Sequence, residues 1–576
     1  MTQKLKIEHI GYNIENLQNM MSNWSISKDS KYLLRYPTVY IINDKNHEDN
    51  YHVYVGETAN IQNRTKQHLK EDSKYKPYWN DFSISNTSSM YIIGHTYFNK
   101  SLTLDIENRL MQYLSSVDKV DTLFNSRTNQ QNEYFTSDKL DEIFTDVWRA
   151  LHKKNKELFP IENKIRDSAI FKASPFHKLT DEQIAAKEEI ISKIKSIIFE
   201  KKEGQLIMVE GEAGSGKTVL MSTLFYELKK YGLEGDNYTT PLNVHLLVNH
   251  DEHVMIYTRI ADKLGLTSKN SKIINKPTSF ILNQEPREKV DVIIVDEAHL
   301  LLTQGKMSYK GEGHLKDLLD RAKVVVTVFD RKQILSREQV WEYDSLDQLI
   351  SSVEDNDNLI QLKNQLRINS SIETVNWIRN MVDNQVVDPI PHDRKGYEIK
   401  IFNDPLSLEQ AIREKAEYTE SGISRIIASF DWKFNSNKKP DDGDYWRVEI
   451  GNWSMPWNKQ IKPIKGENKL PWVERTNTID EVGSTFTIQG IDLNYAGVII
   501  GPSVKYRNGK IIFDKKASKN SKAVQNRTLS DKSKQNFAET LLKNELNVLM
   551  TRGINGLYIY AVDDELREAL QKASKG

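Results

Sequence analysis

The sequence predicts an α/β protein in which a small α/β domain precedes two tandem domains, each built on a parallel sheet. In the first part of the chain, short strand-like runs such as residues 38–42 and 51–55 alternate with amphipathic helical patterns such as residues 60–70. Further on, apolar runs such as residues 206–209 and 292–295 stand between loops and helical patterns. Continuous apolar runs of this kind indicate parallel strands that are buried on both faces.

The domain boundaries follow from changes in this pattern. The chain has 576 residues, a length that suits three or four globular units. Composition becomes charge-rich and then irregular after residue 150, which indicates a linker. The predicted ranges are 1–150 for the small domain, 151–180 for the linker, 181–350 for the first sheet domain and 351–576 for the second.

Two segments interrupt the second sheet domain. Residues 431–472 hold five of the ten tryptophans, which predicts an ordered insertion whose aromatic rings either stack on nucleic-acid bases or form a core. Residues 505–534 contain ten Lys or Arg and only two acidic residues. This basic segment is interpreted either as a solvated loop or as a flexible arm that touches DNA phosphates.

Composition excludes several classes of protein. The 80 basic and 80 acidic side chains cancel, so contact with nucleic acid depends on local basic surfaces. No cysteine is present, which excludes disulfide frameworks and thiolate zinc sites and favours a reducing, cytoplasmic location. The first residues lack a signal-peptide pattern and no apolar run is long enough to span a membrane, so no membrane partner is expected.

In the small domain, six residues of suitable chemistry follow one another along the chain. A carboxylate anchors Mg²⁺, which takes few protein ligands, and an arginine stabilises the phosphate charge of the transition state. A tyrosine or histidine beside the metal deprotonates the attacking water. The residue types of Tyr40, Tyr54, Arg64, His68 and Glu107, with Asn125 after them, fit a site for metal-dependent phosphodiester cleavage.

The order and spacing of these residues resemble the GIY-YIG nuclease superfamily over about residues 35–130. The resemblance implies that Tyr40 and Tyr54 frame the site, that Arg64 holds the scissile phosphate and that Glu107 binds the metal, Mg²⁺ or alternatively Mn²⁺. It also implies that Asn125 supports the surrounding fold. The sequence departs from the family pattern where Thr38 replaces the first glycine of the name-giving motif and where the turn between the two strand motifs is longer.

A second site is predicted downstream, where a strand, a glycine-rich loop and a helix follow one another. The loop contains Gly211, Gly214, Ser215, Gly216, Lys217 and Thr218. Backbone N–H groups of such a loop surround the phosphates of ATP, while its lysine reaches the β and γ phosphates and its threonine binds Mg²⁺. The apolar run 292–295 delivers Asp296 to the metal and Glu297 to the attacking water.

Further motifs in order resemble superfamily 1 helicases across residues 175–576, in a poorly characterised bacterial branch, which implies two RecA-like sheets. In this resemblance Gln183 reads the adenine, Gln333 senses the γ-phosphate, and Gly490 lies in the motif that couples the nucleotide to the bound strand. Arg367 and Arg552 are candidate arginine fingers from the second sheet. They would compensate phosphate charge only when the cleft closes.

Together these features predict an ATP-dependent DNA-processing enzyme that combines an endonuclease with a motor and restricts foreign, in particular phage, DNA. Its predicted partner is single-stranded or duplex DNA, with a homo-oligomer or a separate defence-system protein left open. One alternative is a repair or mobile-element protein with the same biochemistry. Another is an ATP-binding switch that gates the nuclease without translocation.

Overall fold

The computed structural model divides into two compact units, Met1–Leu179 with Ile256–Lys272 and Thr180–Met255 with Ile273–Gly576. The described residues are 5–24, 31–125, 133–212, 214–234, 239–267, 272–306, 308–342, 344–365, 367–418, 422–441 and 443–575.

The first unit contains a five-stranded mixed sheet. Its neighbouring strands are antiparallel except for the last pair, which is parallel. From one edge to the other the strands are Leu5–Gly11, Ser89–His95, Thr38–Lys45, Tyr51–Thr58 and Val120–Leu123. The helices of this unit are Ile14–Trp24, Lys31–Leu34, Ile61–Lys70, Pro77–Ile84, Lys100–Ser116, Leu140–Lys154, Glu162–Asp167 and Ala169–Lys172.

Local sequence determines where the two helices that carry site residues begin. Asn60 precedes the helix Ile61–Lys70, and its side chain accepts a hydrogen bond from the N–H of Asn63. Asn99 caps the helix Lys100–Ser116 in the same way. An asparagine at this position satisfies one of the four backbone N–H groups that a helix leaves unpaired at its start. The caps therefore define the register in which Arg64 and Glu107 are presented.

The second unit contains two sheets, and all described strand pairs in both are parallel. The first sheet has the strand order Ile274–Asn275, Val244–Val248, Val290–Asp296, Ala322–Phe329, Gln205–Gly211 and Leu359–Leu362. The second has the order Glu398–Ile401, Gly553–Ala561, Leu493–Ile500, Ser424–Ala428 and Gly483–Ser484. This arrangement confirms the predicted α/β class with a small domain and two parallel-sheet domains.

Helices cover both sheets, because the central strands are buried on both faces and need apolar cover. Those of the first sheet are Asp181–Phe199, Lys217–Tyr231, Pro277–Asn283, His314–Leu319 and Ser345–Asp355. Those of the second are Ile372–Arg379, Pro405–Glu417, Thr485–Ile488, Ser521–Val524, Ala538–Met550 and Asp564–Ala573, with a π-helical turn at Asn380–Asn384. The helix Asp251–Lys263 begins in the second unit, and its residues from Ile256 onward belong to the first unit.

The tryptophan-rich insertion is ordered. It forms a hairpin of Arg447–Ile450 and Trp453–Pro456. Trp457 and Trp472 are fully buried, and the indole N–H of Trp472 donates to Glu481 at 2.8 Å. These two rings therefore belong to the core, as one of the two interpretations of the sequence held.

The basic segment is folded rather than an open loop or arm. It contains two hairpins, Val504–Arg507 with Lys510–Phe513 and Arg527–Thr528 with Lys534–Gln535. Arg527 is 2% exposed and pairs with Glu342 at 3.0 Å. A run of positive charge in the sequence did not reveal that some of its members pair with acids far away in the chain. Among the described residues, no helix is long and apolar enough to cross a membrane.

Candidate active sites

In the first unit the two predicted tyrosines lie side by side on neighbouring antiparallel strands. The rings of Tyr40 and Tyr54 stack with centroids 6.1 Å apart, and both residues are buried. Tyr40 is paired directly with Gly56, and a Cβ atom on Gly56 would lie 2.5 Å from the Tyr40 hydroxyl. Gly56 therefore leaves the space that the Tyr40 phenol occupies. Thr38, in place of the expected glycine, pairs with Thr58 two residues before Tyr40.

A chain of hydrogen bonds runs from Tyr40 through His68 to Asp72. The Tyr40 hydroxyl lies 2.9 Å from Nε2 of His68, and Nδ1 of His68 lies 2.6 Å from Oδ2 of Asp72. The His68 ring also stacks on Trp79 at 3.7 Å. Burial, with the charge of Arg64, lowers the pKa of His68 to about 4 despite the nearby Asp72 carboxylate. A neutral ring that donates Nδ1–H to Asp72 keeps Nε2 as the acceptor for the Tyr40 hydroxyl.

Arg64 lies on the same helix as His68, and its guanidinium interacts electrostatically with the hydroxyls of Tyr40 and Tyr54. It also donates to Gln67 at 2.9 Å. Burial raises the pKa of both phenols, so both keep their protons at neutral pH even beside the guanidinium. The structure thus brings Arg64, the two tyrosines and His68 together.

Glu107 lies on the helix Lys100–Ser116, and Asn125 follows the strand Val120–Leu123, which pairs with the strand Tyr51–Thr58. The Asn125 amide donates to the Val55 carbonyl at 2.7 Å and to Oε1 of Glu107 at 3.0 Å. Glu107 is 9% exposed and lies within electrostatic range of Tyr40 and Tyr54. Asn125 therefore ties the end of the last strand to the helix that carries the carboxylate.

This donor set fits a magnesium ion that keeps most of its waters. In the described ranges no group of three or more His, Cys, Asp or Glu side chains is arranged to hold a metal. A single carboxylate such as Glu107, whose Oε1 already accepts from Asn125, matches the sparse protein ligation that Mg²⁺ and Mn²⁺ accept.

In the second unit the glycine-rich loop follows the strand Gln205–Gly211 and opens the helix Lys217–Tyr231, whose second residue is Thr218. Gly214 and Gly216 have φ of +94° and +76°, which side chains rarely tolerate. The Lys217 ammonium donates to the carbonyls of Gly211 and Glu212, both at 2.7 Å, and Ser215 is buried beneath the loop. These contacts hold the lysine at the place where phosphates are expected.

The acidic pair lies at the end of the strand Val290–Asp296. Asp296 is buried and accepts from the N–H of Glu297 at 3.0 Å, while Glu297 itself has left-handed φ of +51°. Oε2 of Glu297 lies 3.0 Å from Nε2 of His299. Burial raises the pKa of Glu297, but His299, His253 and Lys217 outweigh it, so the pKa is lowered and the group is a carboxylate.

The two candidate arginine fingers lie close together. Arg552 precedes the strand Gly553–Ala561 of the second sheet, as predicted, but Arg367 follows Leu359–Leu362, which is the edge strand of the first sheet, so its predicted origin in the second sheet is wrong. Arg367 packs so closely on the glycine-rich loop that a Cβ on Gly214 would lie 2.6 Å from its own Cβ. Its guanidinium pairs with Asp492 at 2.7 Å, and Arg552 lies 3.9 Å from the same carboxylate. Arg552 is fully buried.

The remaining predicted residues of this site also lie around the loop. The Gln183 amide lies 3.3 Å from the carbonyl of Gly216, so it contacts the loop as well as its own helix cap. Gln333 accepts from Arg552 at 2.9 Å and donates to Asp330 at 2.8 Å. Gly490, with φ of +75°, approaches Glu297 so closely that a Cβ would lie 3.2 Å from Oε1.

This arrangement fits the triphosphate of ATP. Nε of Arg367 meets the Asp492 carboxylate, but the buried Nη1 atoms of Arg367 and Arg552 form no hydrogen bond within the described part of the chain. Buried guanidinium groups are costly unless an anion meets them. Burial lowers the pKa of Arg552 to about 10 and also lowers the pKa of Lys217. A bound phosphate would offset these costs.

Several residues of both sites were not identified from the sequence. Asp72 lies four residues after His68, a spacing that places both on one helical face and was the only available signal. The other unidentified residues either lie far along the chain from the motifs, or lie within a motif but are of a residue type that does not indicate a role. They are Trp79, His253, His299, Asp330, Gln489 and Asp492.

Comparisons with known proteins match the two site-bearing regions of the chain to two different families. The family model for the Schlafen group 3 DNA/RNA helicase domain matches residues 204–563, and the GIY-YIG catalytic domain model matches residues 36–112. The uncharacterized protein YPL245W of Saccharomyces cerevisiae (strain ATCC 204508 / S288c) is 35% identical over 437 residues, which cover 69% of this chain and 91% of that relative.

A solved structure of two coordinating Pif1 helicases at forked double-stranded DNA matches 68% of this chain and 94% of its own. Its identity is 12% and its TM-score is 0.25, so the family assignment rests on the models and on the yeast relative instead. The relative is a yeast protein, and the bacterial branch expected from the sequence stays a prediction.

Proposed function

The chain belongs to the Schlafen group 3 DNA/RNA helicase domain family and carries a GIY-YIG nuclease domain in front of it, and on that premise we propose an ATP-driven endonuclease that moves along DNA. The observation that carries the proposal is the meeting of Lys217, Glu297, Arg367 and Arg552 at one glycine-rich loop. They come from two sheets, so hydrolysis is coupled to the approach of one sheet to the other.

In the ATPase site each residue has one task. Thr218 and Asp296 would hold Mg²⁺, which would offset the negative charge that develops on the phosphates. Lys217 would contact the transferred phosphate, and Glu297 would orient the attacking water. Arg367 and Arg552 supply positive charge to the transition state, and Gln333 links Arg552 to Asp330 at the first sheet.

In the nuclease site a proton relay activates the attacking water. Water would give a proton to the Tyr40 oxygen as Tyr40 gives its own proton to Nε2 of His68, 2.9 Å away. Asp72 would offset part of the cost that burial and the Arg64 charge place on the transient imidazolium. Arg64 stabilises the phosphate charge. Glu107 would hold the metal, which would act as a Lewis acid on the phosphodiester.

Restriction of foreign DNA is the biological role we propose, because cleavage coupled to movement suits the destruction of long invading DNA. Repair or mobile-element processing would use the same two sites. The family description covers both DNA and RNA, so RNA is the comparison substrate in every assay.

A nucleotide-controlled switch is the second candidate. It is favoured by ion pairs that connect the glycine-rich loop to the second sheet domain: Lys332 contacts both Glu212, at 2.7 Å, and Asp383, at 3.0 Å. Arg379 lies 3.6 Å from the same Glu212. Binding alone would then connect the two sheet domains without repeated hydrolysis.

One experiment separates motor from switch. ATP hydrolysis and cleavage are measured together on single-stranded, duplex and forked DNA, and on matching RNA, with the parent and with Glu297→Gln. The motor requires turnover, so cleavage of long duplexes should be lost in the variant and with a non-hydrolysable nucleotide. If Glu297→Gln cleaves at the full rate in the presence of ATP, the motor hypothesis is wrong and the switch hypothesis is favoured. Lack of both activities on every substrate would contradict the proposed function.

A further inference from the structure

The first unit contains a cavity of about 430 Å³ beside the helix Lys100–Ser116. Its wall includes residues of that helix, the beginning of the helix Leu140–Lys154 and several residues between 162 and 178. Glu107, Tyr40 and Arg64 do not line it. The cavity is therefore distinct from the nuclease site, although one helix serves both.

Two side-chain amides in the wall have unused hydrogen-bonding atoms. Asn108 and Gln112 are four residues apart, so they lie on the same face of the helix. Within the described ranges, Oδ1 of Asn108 and Nε2 of Gln112 are buried and have no hydrogen-bond partner. Gln112 is only 7% exposed. A buried donor or acceptor left unpaired costs about 1–3 kcal/mol, so the pair offers an acceptor and a donor to a ligand.

Aromatic rings form the apolar part of the wall. Tyr113, Phe171 and Phe176 line the cavity. The Tyr113 hydroxyl donates to Glu162 at 2.9 Å, and its ring meets Phe171 edge to face at 5.0 Å. The Phe176 carbonyl lies 3.4 Å from the Asn108 amide nitrogen, which leaves the oxygen of that amide as its unused atom. Fixed rings next to fixed amides suit a flat heterocycle.

Two positively charged side chains of the cavity wall are exposed to solvent. Arg166 and Lys178 line the cavity and are exposed. Neither forms an ion pair with any residue that the structure describes, whereas Arg109 in the same wall is paired with Asp141 at 2.5 Å. Two unpaired cations at the open side of a polar cavity suit an anionic group such as a phosphate.

We propose that this cavity binds a nucleotide, with its base against the Asn108 and Gln112 amides and its phosphate at Arg166 and Lys178. The edge of a nucleobase carries adjacent donors and acceptors, and its faces stack on aromatic rings, which is how extruded or single-stranded bases are read. The volume lies within the range of small-molecule sites. The nucleotide is either free or part of a single strand.

Titration of the full chain with the four nucleoside 5′-monophosphates tests whether the cavity binds a free nucleotide. Monophosphates lack the β and γ phosphates that Lys217 contacts, so Lys217→Ala should leave their binding unchanged. Gln112→Met keeps the side-chain length but removes the donor, and it should weaken binding about tenfold. The double variant Arg166→Ala/Lys178→Ala should weaken it several-fold, and more strongly at low salt. Lys153→Ala, an exposed change outside the cavity, is the matched control.

A single-stranded oligonucleotide with one photoreactive 4-thiothymidine tests whether the cavity binds a base of a single strand. Crosslinking to the peptides that contain Tyr113 or Phe171, reduced by Gln112→Met and by the exposed double variant, would assign the cavity to a base of the strand. If Lys217→Ala abolishes the binding of monophosphates, the ligand binds at the glycine-rich loop and the proposal is wrong. The proposal also fails when neither probe responds to the exposed double variant, whose fold is checked by circular dichroism.

Discussion

The two candidate active sites are assembled in opposite ways. In the nuclease site, Tyr40, Tyr54, Arg64, His68 and Asp72 lie within a short stretch of chain, and hydrogen bonds join the uncharged Tyr40 and His68 side chains to Asp72. The ATPase site collects charged groups from positions as distant as Lys217 and Arg552, carried by two different sheets. A site built on one hairpin and two helices of a single small domain is preorganised, whereas a site shared by two sheets opens and closes with them. The comparison predicts that the first depends on local geometry and the second on charge.

The largest effect is expected at the ATPase site. Lys217→Ala removes the charge that contacts the transferred phosphate, and it should lower DNA-stimulated ATP hydrolysis at least about 10²-fold. Steady-state phosphate release measures it. Lys202→Ala, an exposed change in the same unit, should hydrolyse ATP like the parent. If the Lys217 variant hydrolyses ATP at the parent rate, the ATPase assignment is wrong. The contrast between a site that depends on geometry and one that depends on charge is then wrong as well.

Glu107→Ala should lower metal-dependent DNA cleavage about 10²-fold, because the carboxylate is the proposed metal ligand. ATP hydrolysis by the same variant should stay at the parent rate. Nicking of a plasmid in Mg²⁺ and in Mn²⁺ measures the effect, with the exposed Glu133→Ala as control. Equal nicking by Glu107→Ala and parent would place the cleavage centre elsewhere.

A smaller effect tests local geometry directly. Gly56→Ala would put a Cβ 2.5 Å from the Tyr40 hydroxyl, so it should displace the phenol from His68. We expect cleavage to fall about tenfold, as in Tyr40→Phe, which removes the proton that the relay transfers. The rate under single-turnover conditions is the measurement. If Gly56→Ala cuts normally while it folds normally, the position of Tyr40 does not limit the rate.

The smallest effect concerns stability and pH. Because the pKa of His68 is lowered from 6.5 to about 4 in the folded protein, the unfolded chain binds the proton first as the pH falls. Stability contributed by the neutral ring is complete above about pH 6.5 and is lost toward pH 4. The Tm difference between the parent and His68→Gln should therefore shrink from pH 7.5 to pH 5.5. The exposed His47→Gln should show no such trend.

The sequence by itself determined the class of fold and the residues of both motifs. Apolar runs of limited length must be strands buried on both faces, and a loop with Gly214 and Gly216 before Lys217 has few conformations besides the one observed. These features are local, because periodicity and backbone freedom are properties of neighbouring residues.

Only the tertiary structure decided which distant groups meet. That Arg527 in a basic run is buried against Glu342, and that Arg367 packs on Gly214, depends on contacts between residues more than 140 positions apart. The cavity beside Gln112 likewise exists only because a segment some sixty residues later closes its wall. Pairing, burial and cavities arise from the whole packed chain, and no local pattern encodes which partner a side chain finds.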